Sequence, residues 1–275
     1  MPTPRLRSAS RRAVRAEARR RRGRRGAAIS AASTIVVIGG LIALVVTSPG
    51  WDSVRQLFFS WEDFKAAFPD VLKGFWLDVK LFVIVEAVVL VLGLVVALCR
   101  TSRSPALFPL RLLATLFTDL LRGVPTILLV FMIGFGVPAL ELSAVPSDAV
   151  VLGAAALALS YSAYVAEVYR AGIRSVHPSQ RAAALALGLT EVQALRHVIL
   201  PQAVRRVVPP LLNDFVALQK DVALVSILGP LEAFREAQIY ASSNFNYTPL
   251  LAAACLYLCV TVPLARVVDR LQERS

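Results

Sequence analysis

The chain has 275 residues, of which 57% are hydrophobic and only 17% charged, against about 45–50% and about 25% for an ordinary soluble domain. That balance excludes a typical soluble enzyme and directs attention to membrane spans. The net charge of +12 is concentrated in residues 1–26, which carry eleven arginines against one acid, Glu17. The basic balance therefore describes a tail rather than a nucleic-acid-binding fold. Three cysteines and two histidines exclude a disulfide scaffold and argue against a Cys/His metal cluster.

Residues 1–26 have few large apolar side chains, which predicts a disordered cytoplasmic tail drawn to anionic lipid. Ala27–Thr47 is an uncharged run of 21 residues, enough for one spanning helix, so 27–48 is expected to be an extra N-terminal transmembrane helix. A cleaved signal peptide is the rival, but Thr47-Ser48-Pro49-Gly50-Trp51 offers no small-residue cleavage site. Residues 49–74 hold Trp51, Phe58, Phe59, Trp61, Phe64 and Phe68 among mixed charges. They read either as an amphipathic connection on the extracytoplasmic interface or as a plain loop.

Five further candidate spans follow. They are Leu77–Leu98 (interrupted by Asp78, Lys80 and Glu86), Leu112–Leu140 (with Arg122-Gly123-Val124-Pro125 near its middle), Ala149–Val168, Val207–Leu228 and Pro249–Val268. The fourth of these is weak, carrying Pro209-Pro210, Asn213, Asp214, Lys220 and Asp221. The expectation is an all-α integral membrane protein with about six transmembrane helices. With both termini inside, the inside segments hold 23 Lys/Arg and the outside segments 4, so positive charge favours cytoplasmic N- and C-termini. Residues 269–275 form the C-terminal tail.

The longest inside connection, 169–206, has its own helical signals. Pro178 fits a first helical position, Gly188 a left-handed cap, and Thr190-Glu191-Val192-Gln193 a capping box; Leu200-Pro201 is expected to end one helix and start the next. The result is a short Ala-rich helix, a glycine turn and a second helix between two spans. A small smooth helix of this kind suits a groove on a partner, or else lies on lipid.

Ala182-Ala183-Ala184, Gly188 and Val198-Ile199-Leu200-Pro201 stand at the spacing of the EAA loop of bacterial ABC importer permeases, which the chain resembles. The flanks resemble the polar amino-acid subfamily: Ala163 to Ile173 before the loop, then Leu200 to Ala203, Pro209 to Asn213 and Leu218 to Asp221 after it. Arg122-Gly123-Val124-Pro125 is similar to that family's Arg-Gly-Thr-Pro. Roughly residues 70–270 are covered. The resemblance implies a type I ABC importer permease fold over 75–268, with the EAA loop at 169–201. It implies a multi-pass subunit of the bacterial inner (plasma) membrane. Its expected partners are a dimer of ABC ATPase subunits, a second permease subunit (the same chain or a homologue), an extracytoplasmic amino-acid-binding protein and membrane lipids. No nucleic acid is expected. Coupling to the ATPase would fall on Arg181, Ala182, Ala183, Ala184, Leu187 and Gly188. Ala182 departs from the family's glutamate, which removes a charge from that interface. Glutamate or glutamine is the first expectation for the solute, a basic amino acid the second.

No catalytic residue and no metal ligand are expected. A P-loop needs Gly-Lys-Ser/Thr, and none of Lys65, Lys73, Lys80 and Lys220 follows a glycine. ATP and magnesium would therefore belong to the partner ATPase, and this chain would bind no cofactor. Charged groups inside spans usually face a protein interior or a water-filled cavity. Asn213 and Lys220, like Asp214 and Asp221, are seven apart and so share a helical face. These four and Glu86 are candidates for the solute pathway. The alternative for Lys220 is structural pairing with an acid in the bundle. Arg122, Glu167 and Arg170 are structural or gating candidates. Cys255 and Cys259 read as core packing, and His177 and His197 as caps or interface residues. A self-contained channel or ion-driven carrier, and a membrane anchor acting through the Arg tail, are the competing functions.

Overall fold

The computed structural model describes residue 26, residues 29–102 and residues 104–272. The predicted Arg-rich tail, apart from Gly26, lies outside the described residues, as do residues 273–275. The chain divides into two units, residues 1–56 and 57–275. The first holds helix α1 (Ile29–Val46), whose apolar side chains are exposed on every face, as expected of a helix surrounded by lipid.

Every other regular element among the described residues is also helical. In order they are α2 (Trp51–Phe58), α3 (Trp61–Thr101), α4 (Phe108–Gly123), α5 (Thr126–Ala139), α6 (Ala149–Ser175), α7 (Pro178–Ala186), α8 (Glu191–Ala194), α9 (Leu200–Asp221), α10 (Ala233–Asn244) and α11 (Thr248–Gln272). A π-turn over Leu195–Ile199 joins α8 to α9, and a 3₁₀ segment over Val222–Leu228 follows α9.

The all-α membrane architecture is the expected one, and the described helices long and apolar enough to span number four or five against the expected six or so. Among the described residues, four segments are long and apolar enough to cross a membrane: Ile29–Val46, Trp51–Thr101, Ala149–Ser175 and Thr248–Gln272. A fifth exists only if α4 and α5 count together, and they bend by 108° at their junction. The physical reason is Pro125, which lacks a donor and holds Val124 extended, at φ −104° and ψ 132°. The predicted Val207–Leu228 span does not qualify, because α9 is studded with polar groups and breaks into a 3₁₀ turn at Val222. Residues 61–74 form the first turns of α3, which at 41 residues is about 60 Å long, twice the hydrocarbon thickness.

Helix α6 is the centre of the bundle and packs against α3, α4, α5 and α9. Its buried face is mostly small: Gly153, Ala156, Ala158, Ser160, Ala163, Ala166 and Gly172. Small residues let helix backbones approach closely in lipid, where burial from water gives no drive to associate. The approach is tight. A methyl group on Gly172 would lie 1.9 Å from Val207 Cγ2 of α9, and one on Gly153 would lie 2.6 Å from Val225 Cγ1. The main apolar core forms around this helix from Val85 and Val89 of α3, Val130 of α5, Leu157 and Val165 of α6, and Leu218 of α9.

A second, smaller core joins α3, α10 and α11 through Val71, Phe75, Ala237 and Ala253. A polar knot closes it. Asp78 Oδ2 accepts hydrogen bonds from Tyr257 Oη at 2.7 Å and from the Ala233 amide at 3.4 Å. Glu232, fully buried, caps α10 by accepting from the amides of Phe234 and Arg235 at 2.8 and 2.7 Å. The capping carboxyl replaces the water that the first amides of α10 would otherwise need.

The contact at Gly172 generates a stability prediction. Gly172→Leu should destabilise the detergent-purified chain by at least about 1–3 kcal/mol through overpacking. Adding Val207→Ala, which removes the methyl groups in the way, should recover a measurable part of the melting temperature. If the double variant melts below the single one, the close contact is not the cause.

Candidate functional site

Three features gather the charged and exposed groups of the chain. The first is a cluster on the shared carboxylate of Glu167, near the C-terminal end of α6. Arg100 of α3 donates to Glu167 Oε2 at 2.8 Å, Arg122 of α4 approaches the same oxygen at 3.8 Å, and Arg170, one turn along α6, makes a paired contact, with Nε at 3.0 Å. Arg122 also lies over the Tyr164 ring at 5.6 Å. Glu167 thus ties three helices together at the end of the bundle. The structure brings the predicted Arg122, Glu167 and Arg170 into one network. Arg100 escapes sequence reasoning, because along the chain it is only one of several basic residues in a loop.

The second feature is acidic. Glu86 of α3 and Asp214 of α9 stand within electrostatic range of each other, and Tyr161 of α6 is within range of Asp214. Tyr161 Oη donates to Asp221 Oδ2 at 2.8 Å. Asp214 Oδ2 is buried without a hydrogen-bond partner, an expensive arrangement in a low-dielectric interior. The predicted pathway residues Glu86 and Asp214 therefore face each other between α3 and α9, and Asp221, two turns further along α9, is held by Tyr161 of α6. Tyr161 gives no signal in the sequence, since it sits in an otherwise clean apolar segment.

The other two pathway candidates lie elsewhere. Asn213 is exposed and accepts from Gln272 Nε2 at 3.4 Å. Lys220 is exposed and makes no ion pair among the described residues, so the expected pairing with an acid in the bundle is not found. Helical periodicity separates the two faces: Asp214 and Asp221 turn inward, Asn213 and Lys220 outward. Cys255 and Cys259 are exposed on α11 and do not belong to a core, which corrects that expectation.

The third feature is the turn after α7. His177 caps α7 by accepting from the Ser179 amide at 3.2 Å, and Pro178 occupies the first helical position. Gly188 adopts φ +83°, and a methyl group there would meet nothing within 4 Å, so the constraint is conformational rather than steric. Its amide bonds to Leu185 O at 3.0 Å and the Leu189 amide to Ala184 O at 3.2 Å, the paired bonds of a Schellman cap. Thr190 and Gln193 then form the predicted capping box. Arg181 pairs with Glu191 across the turn at 3.0 and 2.5 Å. Ala184 is buried beneath the turn, while Ala182, Ala183 and Gly188 are exposed and Leu187 is 84% exposed. Leu200-Pro201 opens α9, as expected, although a π-turn carries the helical backbone into it from α8. The missing amide of Pro201 is absorbed by the π-turn, in which the Leu200 amide bonds to Leu195 O.

Among the described residues no group of three or more His, Cys, Asp or Glu side chains could hold a metal ion.

Comparison with known proteins assigns the class. Residues 89–275 match the family described as the binding-protein-dependent transport system inner membrane component. The chain belongs to that family, whose members are non-catalytic, multi-pass inner-membrane permease subunits of ABC transporters. A putative glutamine transport system permease protein of Rickettsia felis is 33% identical, over 74% of this chain and 92% of that protein. The arginine transport system permease protein ArtQ of Bacillus subtilis is 31% identical, over 78% and 96%. The fold is similar to that in a crystal structure of an amino acid ABC transporter with histidines, with a TM-score of 0.71 at 30% identity, over 78% of this chain and 99% of that one. A binding-protein-dependent transporter implies an ATPase and a binding protein as partners.

The Glu167 network has a measurable consequence. Glu167→Gln leaves Arg100, Arg122 and Arg170 without their shared counterion. The loss should be about 1–3 kcal/mol, below that of a fully buried pair because the site is partly open. Lys220→Gln should change thermal stability by less than about 0.5 kcal/mol. Equal melting temperatures for Glu167→Gln and the parent chain would contradict the structural role of the network.

Proposed function

We propose that the chain forms the solute pathway of an ABC importer that carries a polar amino acid into the cytoplasm. The observation that carries the finer reading is the convergence of Glu86, Asp214 and Asp221 without a facing cation among the described residues. An acidic interior favours an ammonium group and a cationic side chain. It disfavours glutamate, whose second carboxylate would add like charge in a low-dielectric site. A basic amino acid therefore suits the interior best and glutamine next, which reverses the order expected from the sequence.

The turn after α7 is the contact for the ATPase. Ala182, Ala183 and Gly188 give it a smooth exposed surface, and Leu187 projects from it as an apolar anchor. Arg181 and the neighbouring Ala182, Ala183, Ala184 and Leu187 move as one unit, because the Schellman cap and the Arg181–Glu191 pair fix the turn. ATPase closure draws two such turns together, one from this chain and one from a second permease subunit, identical or homologous. ATP and magnesium are held by the ATPase dimer, and this chain binds no cofactor. The excess of basic residues in the inside segments supports cytoplasmic termini at both ends. The solute arrives from an extracytoplasmic amino-acid-binding protein.

The test is uptake by liposomes containing the chain with its ATPase and binding protein. Arginine or lysine should be taken up with ATP and should outcompete glutamate. Asp214→Asn should raise KM for the cationic solute about tenfold, the scale of one charge-assisted contact, and affect glutamine less. Preferred glutamate uptake would overturn the reading of the acidic interior. Flux without an ATPase would instead establish a channel or carrier.

A second measurement addresses the coupling turn. Gly188→Val forces a β-branched residue into the left-handed region at a cost of about 1–2 kcal/mol and should abolish coupled uptake while membrane insertion persists. Gly188→Asn tolerates that conformation and should keep a substantial part of uptake. Normal coupled uptake by Gly188→Val would remove the turn from the mechanism.

A further inference from the structure

A basic pocket lies beside the Glu167 network, between the C-terminal ends of α3 and α6 and the first turns of α4. It has a volume of about 290 Å³, and its lining includes Arg100, Arg111, Arg170, Arg174, Phe108 and Leu112. Arg100 and Arg170 share the one carboxylate of Glu167. Arg111 donates to Ser102 O at 3.3 Å and lies over the Phe108 ring at 5.2 Å, and it makes no ion pair among the described residues. Arg174 likewise has no ion-pair partner among the described residues. Four guanidinium groups therefore converge on a space whose nearby acids are Glu167, shared also with Arg122, and Asp119 of α4, which is within electrostatic range of Arg170.

Charge repulsion of this size is not retained for stability. The side chains point into a common space at a fixed depth. Arg100 lies in the last turn of α3, and Arg170 lies about 32 Å along α6 from its first residue, Ala149. That separation is close to the thickness of a bilayer's hydrocarbon core, so the pocket sits at headgroup level. Its outer rim is apolar and exposed, formed by Leu107, Phe108, Leu112, Leu113 and Leu116 of the α4 region. A guanidinium cluster suits a phosphate group, and an apolar rim beside it suits acyl chains.

We propose that this pocket binds the phosphate headgroup of an anionic phospholipid, with the acyl chains lying along the exposed face of α4. The proposal rests on the orientation proposed above only for the choice of leaflet, which is the cytoplasmic one. The lipid completes the charge balance of the four arginines and braces α4 against α3 and α6, on the same side of the bundle as the coupling turn.

The experiment uses the full-length chain, delipidated in detergent, and follows melting temperature and retained lipid by native mass spectrometry. Phosphatidylglycerol should stabilise the chain and remain bound, whereas phosphatidylcholine should do neither. Arg111→Gln with Arg174→Gln removes the two arginines outside the Glu167 network. It should weaken phosphatidylglycerol binding by about tenfold or more, given roughly fivefold per basic residue at an anionic surface. The double lysine variant at the same positions keeps the charge and should retain most of the binding, which separates lost charge from lost packing. A chain lacking residues 2–25 should keep the effect, which separates the pocket from general attraction to the Arg-rich tail. Equal lipid binding by the double glutamine variant and the parent would overturn the proposal. Stabilisation by inorganic phosphate alone, equal to that by the lipid, would overturn its lipid half and assign the pocket to a soluble anion.

Discussion

The close approach of α6 to its neighbours is the constraint on which the rest depends. In lipid, apolar side chains gain little by leaving the solvent, so helices must hold together by tight packing and by polar contacts. Gly153 and Gly172 on α6, and Gly93 on α3 with a methyl position 2.6 Å from Val165, bring three backbones near contact. Once those distances are set, the positions of Tyr161 and Glu167 on the same helix are set as well. Tyr161 reaches Asp221 across the α9 contact, and Glu167 reaches Arg100 across the α3 contact. The acidic interior and the basic end network are thus two stations on one rigid rod, separated by six residues, or about 9 Å.

That geometry gives the molecule a simple mechanical logic. The turn after α7 joins α6 and α9 through α7, α8 and the π-turn, and α9 carries Asp214 and Asp221 while α6 carries Tyr161, which donates to Asp221. A displacement of the turn therefore reaches Asp214 and Asp221 through helices, not through mobile loops. The turn is braced for this. Its glycine cap, capping box and Arg181–Glu191 pair satisfy the ends of two short helices that would be unstable alone. The acid that the EAA pattern places at position 182 is absent, but Glu191 supplies a carboxylate on the other limb of the same turn, where it holds Arg181. The turn keeps its shape by an internal pair and leaves the methyl groups of Ala182 and Ala183 exposed.

Legibility in the sequence follows the locality of the interaction. The α7 cap, the glycine turn and the Thr190 capping box are decided within a few residues, and each is readable from Pro178, Gly188 and the Thr190–Gln193 spacing. The acidic set is partly readable, because charges inside apolar runs stand out. Which of them face inward is not: Asn213, Asp214, Lys220 and Asp221 all lie within nine residues, and only packing against α3 and α6 chooses the face. The bend inside Leu112–Leu140 is hidden for a related reason. Hydropathy treats that stretch as one run, whereas the backbone geometry imposed by Pro125 divides it at a sharp angle. Pro201 marks the start of α9 in the sequence and in the fold, but the five residues of π-turn that lead into it have no local signal.

Long-range polar contacts are the least visible. Asp78, Glu232 and Tyr257 are separated by 154 and 25 residues along the chain, yet they form one buried knot joining α3, α10 and α11. The position of Asp78 in an apolar run reads as an interruption. In the folded chain it is the acceptor for Tyr257 and for the first amide of α10, which would otherwise be buried without a partner. A polar residue at such a depth survives because it satisfies backbone groups that lipid cannot. The same rule explains why the backbone entering α10 at Glu232 and Ala233 is covered by Gly74 and Asp78 of α3 and by Tyr257 of α11, and why the acidic groups lie between helices. These departures from regular apolar helix are housed inside protein, and the large exposed apolar side chains lie on the outer faces of α3 and α4 and along much of α5 and α11.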